Sequence, residues 1–216
     1  MGVNLVPRAD KFHIVEKEFR TMDTDPFADG SVEDGCITAG LHRVLRFNTY
    51  CFNVGDTDFI IGEPKNRLDV FDKPEKLGLP KSRHEWIMKE KFYVYILSND
   101  SGIRRIGYKR PWCLSDGENF NCTVQGIGAG KKDTYNQDLP CQFIEIGDIP
   151  DGTYTFSVIA NAPSVIAARK NENFLFKEDN YSDNCISITL KIKGNDPPQV
   201  SGNVPCRDDV FSNIQL

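Results

Sequence analysis

The chain has 216 residues, 39% of them hydrophobic and 26% charged, with a formal net charge of −5. That length supports one well-packed core and lies at the upper end for a single β domain. The acidic balance argues against nucleic acid or an anionic membrane as the main partner, since such binding needs a concentrated basic surface that releases counterions.

From the N-terminus, residues 1–35 are charged and irregular, with Asp25-Pro26 and Asp29-Gly30-Ser31 breaking any period, and read as an N-terminal arm. The first residues hold no apolar stretch and cleavage pattern of a secretory leader, and no run approaches the ~20 apolar residues of a membrane span. Val44 to Val54 is rich in aromatic and β-branched residues and predicts a strand, ended by Gly55-Asp56 and hairpinned to a short strand at Phe59-Ile60-Ile61. Glu63 to Arg83 carries three prolines and many charges and reads as a long loop. Alternation in Lys91–Leu97 and Ile103–Lys109 predicts a second hairpin across Ser98–Gly102. Gln142–Ile146, Tyr154–Ala160 and Cys185–Ile192 complete the strands, the first two joined by a turn at Pro150-Asp151-Gly152. Strands at this spacing, without long helical periods, predict an all-β antiparallel sandwich over residues 36–193, followed by a tail at 194–216. The basic groups Arg104-Arg105, Lys109-Arg110 and Lys131-Lys132 read as a solvated face.

Several segments carry a family likeness in a shared order. Lys109 stands four residues before Cys113 in Gly107-Tyr108-Lys109-Arg110-Pro111-Trp112-Cys113, and Asp133-Thr134-Tyr135 follows, ahead of Cys141-Gln142-Phe143-Ile144-Glu145-Ile146. His42–Phe47, Asn53–Phe59, Asp151-Gly152-Thr153-Tyr154 and Glu178–Asn184 extend the pattern from about Cys36 to Ile192. In this order the chain resembles the lysyl oxidase catalytic domain. The resemblance implies a β-sandwich in which Lys109 and Tyr135 occupy the positions of a lysine tyrosylquinone cofactor. It also implies bridges between Cys36 and Cys141, Cys113 and Cys122, and Cys185 and Cys206, leaving Cys51 as a free thiol in a hydrophobic strand. Three such bridges point to oxidising conditions at maturation.

The same resemblance places the three copper ligands on Ser82, His84 and Trp86. Imidazoles suit copper, but only His84 is one, and the chain has just two other histidines, His13 and His42. Gly126-Ile127-Gly128-Ala129-Gly130 lacks the glycine spacing, the Ser or Thr after the lysine and the helical pattern of a phosphate loop, and reads as a flexible turn. The expectation is a lysyl-oxidase-like domain without catalysis or cofactor, acting as a structural module. Its partners would be other proteins of a large assembly, held through the terminal arms, as in a minor capsid protein of a large DNA virus. The alternative is a copper-dependent amine oxidase with a quinone at Lys109 and Tyr135 and His84 as one ligand. A third reading is a secreted, extracellular binding module, for which Asn99, Asn121 and Asn180 offer glycosylation acceptor patterns.

Overall fold

The computed structural model describes residues 2–109, 113–162 and 175–206. Its strands are β1 (Leu5–Phe19), β2 (Gly40–Asn53), β3 (Phe59–Gly62), β4 (Phe71–Asp72), β5 (Ile87–Met88), β6 (Tyr93–Ser98) and β7 (Arg104–Lys109). They continue with β8 (Gln125–Ile127), β9 (Lys132–Tyr135), β10 (Phe143–Glu145), β11 (Gly152–Ile159), β12 (Cys185–Ile192) and β13 (Gln199–Pro205). One sheet centres on β2, which pairs with β1 along one side and with β10 and β9 along the other. The second runs β13-β12-β11-β6-β7, and β3-β8 and β4-β5 form two small ribbons. All these ladders are antiparallel.

The sheets meet through aromatic side chains. Phe47 of β2 is fully buried, with its ring centroid 4.8 Å from Tyr95 of β6 and 4.6 Å from Phe156 of β11, both edge-on. Phe12 of β1 adds an edge contact to Phe156 at 5.0 Å. Aromatic pairs in this geometry add to the area that they bury. A polar stitch accompanies them: the Tyr95 hydroxyl donates to Gln142 Oε1 at 3.1 Å, and Gln142 Nε2 donates to Thr49 Oγ1 at 3.0 Å. The result is the antiparallel sandwich that the strand pattern predicted.

Two segments depart from the sequence reading. Residues 5–19, expected within an irregular arm, form the long edge strand β1 along the whole of β2. A bulge hides the pattern: the register slips between Asp10 and His13, where Lys11 has φ 53°, and the buried residues change from odd positions (Leu5, Pro7) to even ones (Phe12, Ile14). One extra residue inverts the inward face, so no single alternation spans the strand. Gly55 admits the chain's beginning beside β2, since a Cβ there would lie 1.9 Å from the Gly2 carbonyl oxygen. The tail likewise contains β13, paired with β12; all its residues are exposed, so it shows no hydrophobic alternation. Residues 207–216 of that tail lie outside the described residues. The predicted hairpin of β2 with β3 also differs, because β3 pairs with β8 instead. The long loop is confirmed only in part: it holds two short 3-10 turns, Pro64–Asn66 and Pro74–Leu77, and β4.

Three bridges fasten this frame: Cys36–Cys141, Cys113–Cys122 and Cys185–Cys206, with Cα separations of 5.5, 4.8 and 5.4 Å. Cys51 is a buried free thiol on β2.

Candidate active site

Pairing of β9 with β2 sets Tyr135 opposite Thr49 and Asp133 opposite Cys51, and the alternation of β9 turns Asp133 and Tyr135 inward together. From the other sheet, Lys109 ends β7 opposite Tyr93 of β6. Lys109 is therefore not part of a solvated basic face. It is 2% exposed, and its ammonium lies 5.1 Å from the centroid of the Tyr135 ring. The two residues taken from separate stretches of sequence thus meet between the sheets.

Each also has a polar anchor. Lys109 Nζ donates to the Pro140 carbonyl at 2.6 Å, and the Tyr135 hydroxyl donates to the Cys113 carbonyl at 2.7 Å. Both carbonyls adjoin or belong to bridged cysteines, so Cys36–Cys141 and Cys113–Cys122 hold the acceptors in place. Burial lowers the Lys109 amine to about 8, opposed by the charges of Asp34 and Asp133. Burial likewise raises the Asp133 carboxyl to about 8, against the backbone N–H of Thr134 that it accepts. The Tyr135 phenol is pushed well above its usual value, first by burial and then by Asp133, and stays protonated. Removing solvent disfavours whichever form is charged. A partly neutral amine against an aromatic ring is a nucleophile held beside the partner that a lysine–tyrosine cross-link requires. At 5.1 Å from the centroid the groups are neighbours and not bonded.

An open hollow of about 410 Å³ reaches Tyr135 and Asp133, lined also by Lys132, Asp116, Ser115 and Leu139 among others, while Lys109 lies behind them and does not line it. The Tyr93 ring stands edge-on 5.5 Å from that of Tyr135, and the Tyr93 hydroxyl and Asp133 Oδ2 are buried without a hydrogen-bond partner among the described residues. Asp133 and Tyr93 were not singled out as site residues from sequence. The signal for Asp133 was its spacing of two from Tyr135, which puts both on one face of any strand. Arg110, Pro111 and Trp112 of the lysine motif lie outside the described residues.

The family model for lysyl oxidase matches residues 27–194. The chain belongs to the lysyl oxidase family. It is 30% identical to lysyl oxidase homolog 2 of Homo sapiens over 193 residues, covering 76% of this chain and 21% of that protein. Against lysyl oxidase homolog 2 of Gallus gallus it is 30% identical over 178 residues, with 73% and 19% covered. Against protein-lysine 6-oxidase of Sus scrofa it is 30% identical over 165 residues, with 71% and 59% covered. The chain thus spans about a fifth of the length of the homolog 2 relatives.

Active members of the family carry copper as well as the quinone, so the donor set here decides whether copper fits. The three positions that the resemblance assigns to it are otherwise engaged. Ser82 Oγ donates to Asp34 Oδ1 at 2.8 Å, and His84 Nε2 lies 3.3 Å from Asp34 Oδ2. Trp86 lies beneath the Lys73 ammonium at 4.0 Å, a cation–π contact, and packs against the main core. The remaining imidazoles do not join His84. His42 Nδ1 faces Glu145 Oε1 at 2.6 Å beside β10, and His13 sits on β1 opposite Arg46. Among the described residues no three His, Cys, Asp or Glu side chains form a group that could hold a metal ion. The donors at Ser82, His84 and Trp86 do not fit the imidazole set that copper prefers.

Proposed function

We propose that this chain is a non-catalytic lysyl-oxidase-like domain that serves as a structural and interaction protein. The observation that carries the reading is the occupation of the copper positions: Ser82 and His84 fasten Asp34, and Trp86 takes a cation over its ring. These are interactions of a folded scaffold, and neither Ser82 nor Trp86 brings a donor suited to copper. The setting proposed is a protein assembly assembled under oxidising conditions, of which the shell of a large DNA virus is one kind. Three bridges suit such conditions, and the exposed edge strand β13 offers Val200 and Val204, 54% and 57% exposed, to a neighbouring protein.

One observation favours a second reading, copper-dependent amine oxidation. Lys109 and Tyr135 are adjacent and buried, and a hollow reaches Tyr135, an arrangement that a quinone site needs. The two readings separate on exposure of the purified protein to copper(II) in air. The scaffold reading expects no stoichiometric copper after dialysis, no visible quinone absorbance and no hydrogen peroxide released with an alkylamine. Copper retained at one equivalent, with quinone absorbance that Tyr135→Phe abolishes, is the outcome that would replace it.

A further inference from the structure

The arginines of this chain differ in one informative way. Arg67 places Nε and Nη2 against both oxygens of Asp69, at 2.9 and 2.7 Å, and Arg105 does the same with Asp148, at 3.2 and 2.5 Å. Those two donors lie side by side on one edge of the planar guanidinium, at the spacing of two oxygens of one anion. In Arg104 the same two atoms, Nε and Nη2, are shielded from solvent and have no hydrogen-bond partner among the described residues. Buried donors of a charged group without acceptors are costly, and here the missing acceptor has the shape of a bidentate anion.

The surroundings of Arg104 suggest what the anion is attached to. Arg104 opens a row that crosses the whole five-stranded sheet through registered neighbours: Ser98 on β6, Thr155 on β11, Thr189 on β12 and Ser201 on β13. Opposite residues of an antiparallel ladder share a face, so four hydroxyl side chains extend from the guanidinium in one line. This face is turned away from the main core, which takes Tyr95, Leu97, Phe156 and Leu190 from the alternate positions. A hollow of about 470 Å³ lies over it, lined by Arg104, Ser98, Thr155, Ser187 and Thr189 among others, with Asp100 at the hairpin tip. That volume suits a small ligand. Asp100 lines the hollow without forming an ion pair with Arg104, so the guanidinium is not already neutralised by its nearest turn.

We propose that this hollow binds a tetrahedral oxyanion, the phosphate or sulfate ester of a small polyhydroxylated molecule. The anion takes the Nε and Nη2 edge of Arg104 once the side chain turns that shielded edge into the hollow, and the hydroxyls of the ligand meet Ser98, Thr155 and Thr189. The site is on the opposite face of its sheet from Lys109 and Tyr135 and is independent of any oxidase chemistry.

Titration of the ¹⁵N-labelled full chain with inorganic phosphate and, separately, with glucose 6-phosphate tests it. Expected are saturable amide shifts at Ser98, Thr155 and Thr189, with glucose 6-phosphate binding more tightly, and a weakening of about tenfold or more in Arg104→Gln. Arg104→Lys keeps the charge and loses the fork, and it is expected to weaken binding similarly while the spectrum remains that of the folded protein. Equal affinity for the two probes, both dependent on Arg104, assigns the site to the free anion and removes the hydroxyl row from recognition. No saturable shift with either probe, or binding unchanged in both variants, overturns the proposal.

Discussion

Replacing both Cys36 and Cys141 by serine is expected to lower stability by about 4–5 kcal/mol, the loop-entropy value for a closure of this length. The bridge spans 105 residues of sequence and ties the segment before β2 to the one before β10. It also fixes Cys141 at φ 61°, next to the Pro140 carbonyl that accepts from Lys109. Its loss should therefore loosen the lysine as well as the frame. The Cys113–Cys122 bridge closes only 9 residues and should be worth less, about 2–3 kcal/mol by the same relation. Urea unfolding of the two double-serine variants, under conditions that keep the other bridges oxidised, measures both. A smaller loss for Cys36–Cys141 than for Cys113–Cys122 would show that the long closure does not govern stability.

Stability should also fall as pH rises from about 5 to 8 and recover above that. Burial raises Asp133 from 3.8 to about 8 and Glu178 from 4.5 to about 7. Both carboxyls keep their protons in the folded chain after the unfolded chain has released them. Their contribution is fully present below the unfolded values and is lost as pH climbs through the folded ones, at no more than about 1.4 kcal/mol per pH unit for each group. Lys109 has the opposite sense. Its value falls from 10.5 to about 8, so between those limits the unfolded chain binds the extra proton, and stability rises with pH. Comparing urea midpoints at pH 5 and 8, Asp133→Asn is expected to lose distinctly less than the unchanged protein. An identical fall in both would mean that Asp133 is ionised in the folded chain.

The strands that were legible from sequence are those with dense apolar runs, some of them buried on both faces. β2, β6, β11 and β12 carry long aromatic and β-branched runs, and the turn at Ser98–Gly102 marked the β6–β7 hairpin, whose register of Ser98 opposite Arg104 the structure supplies. β1 was hidden by its bulge at Lys11, and β13 by having no buried face. β9 was hidden because its inward residues are an aspartate and a tyrosine, which an alternation of apolar residues does not reveal. At the site, family resemblance named Lys109 and Tyr135, but their sequence neighbours misplaced the lysine: beside Arg104, Arg105 and Arg110 it reads as surface, whereas the sandwich buries it against Pro140 and Tyr135. The partner of His84, Asp34, lies 50 residues away in a segment that read as irregular, so its role became visible only in three dimensions.

The most direct test of the scaffold reading is peptide mass spectrometry of the protein from its native source, with metal analysis on the same sample. Unmodified Lys109 and Tyr135 peptides without stoichiometric copper are the expected result. A covalent Lys109–Tyr135 link accompanied by one copper per chain would contradict the scaffold reading and establish an oxidase.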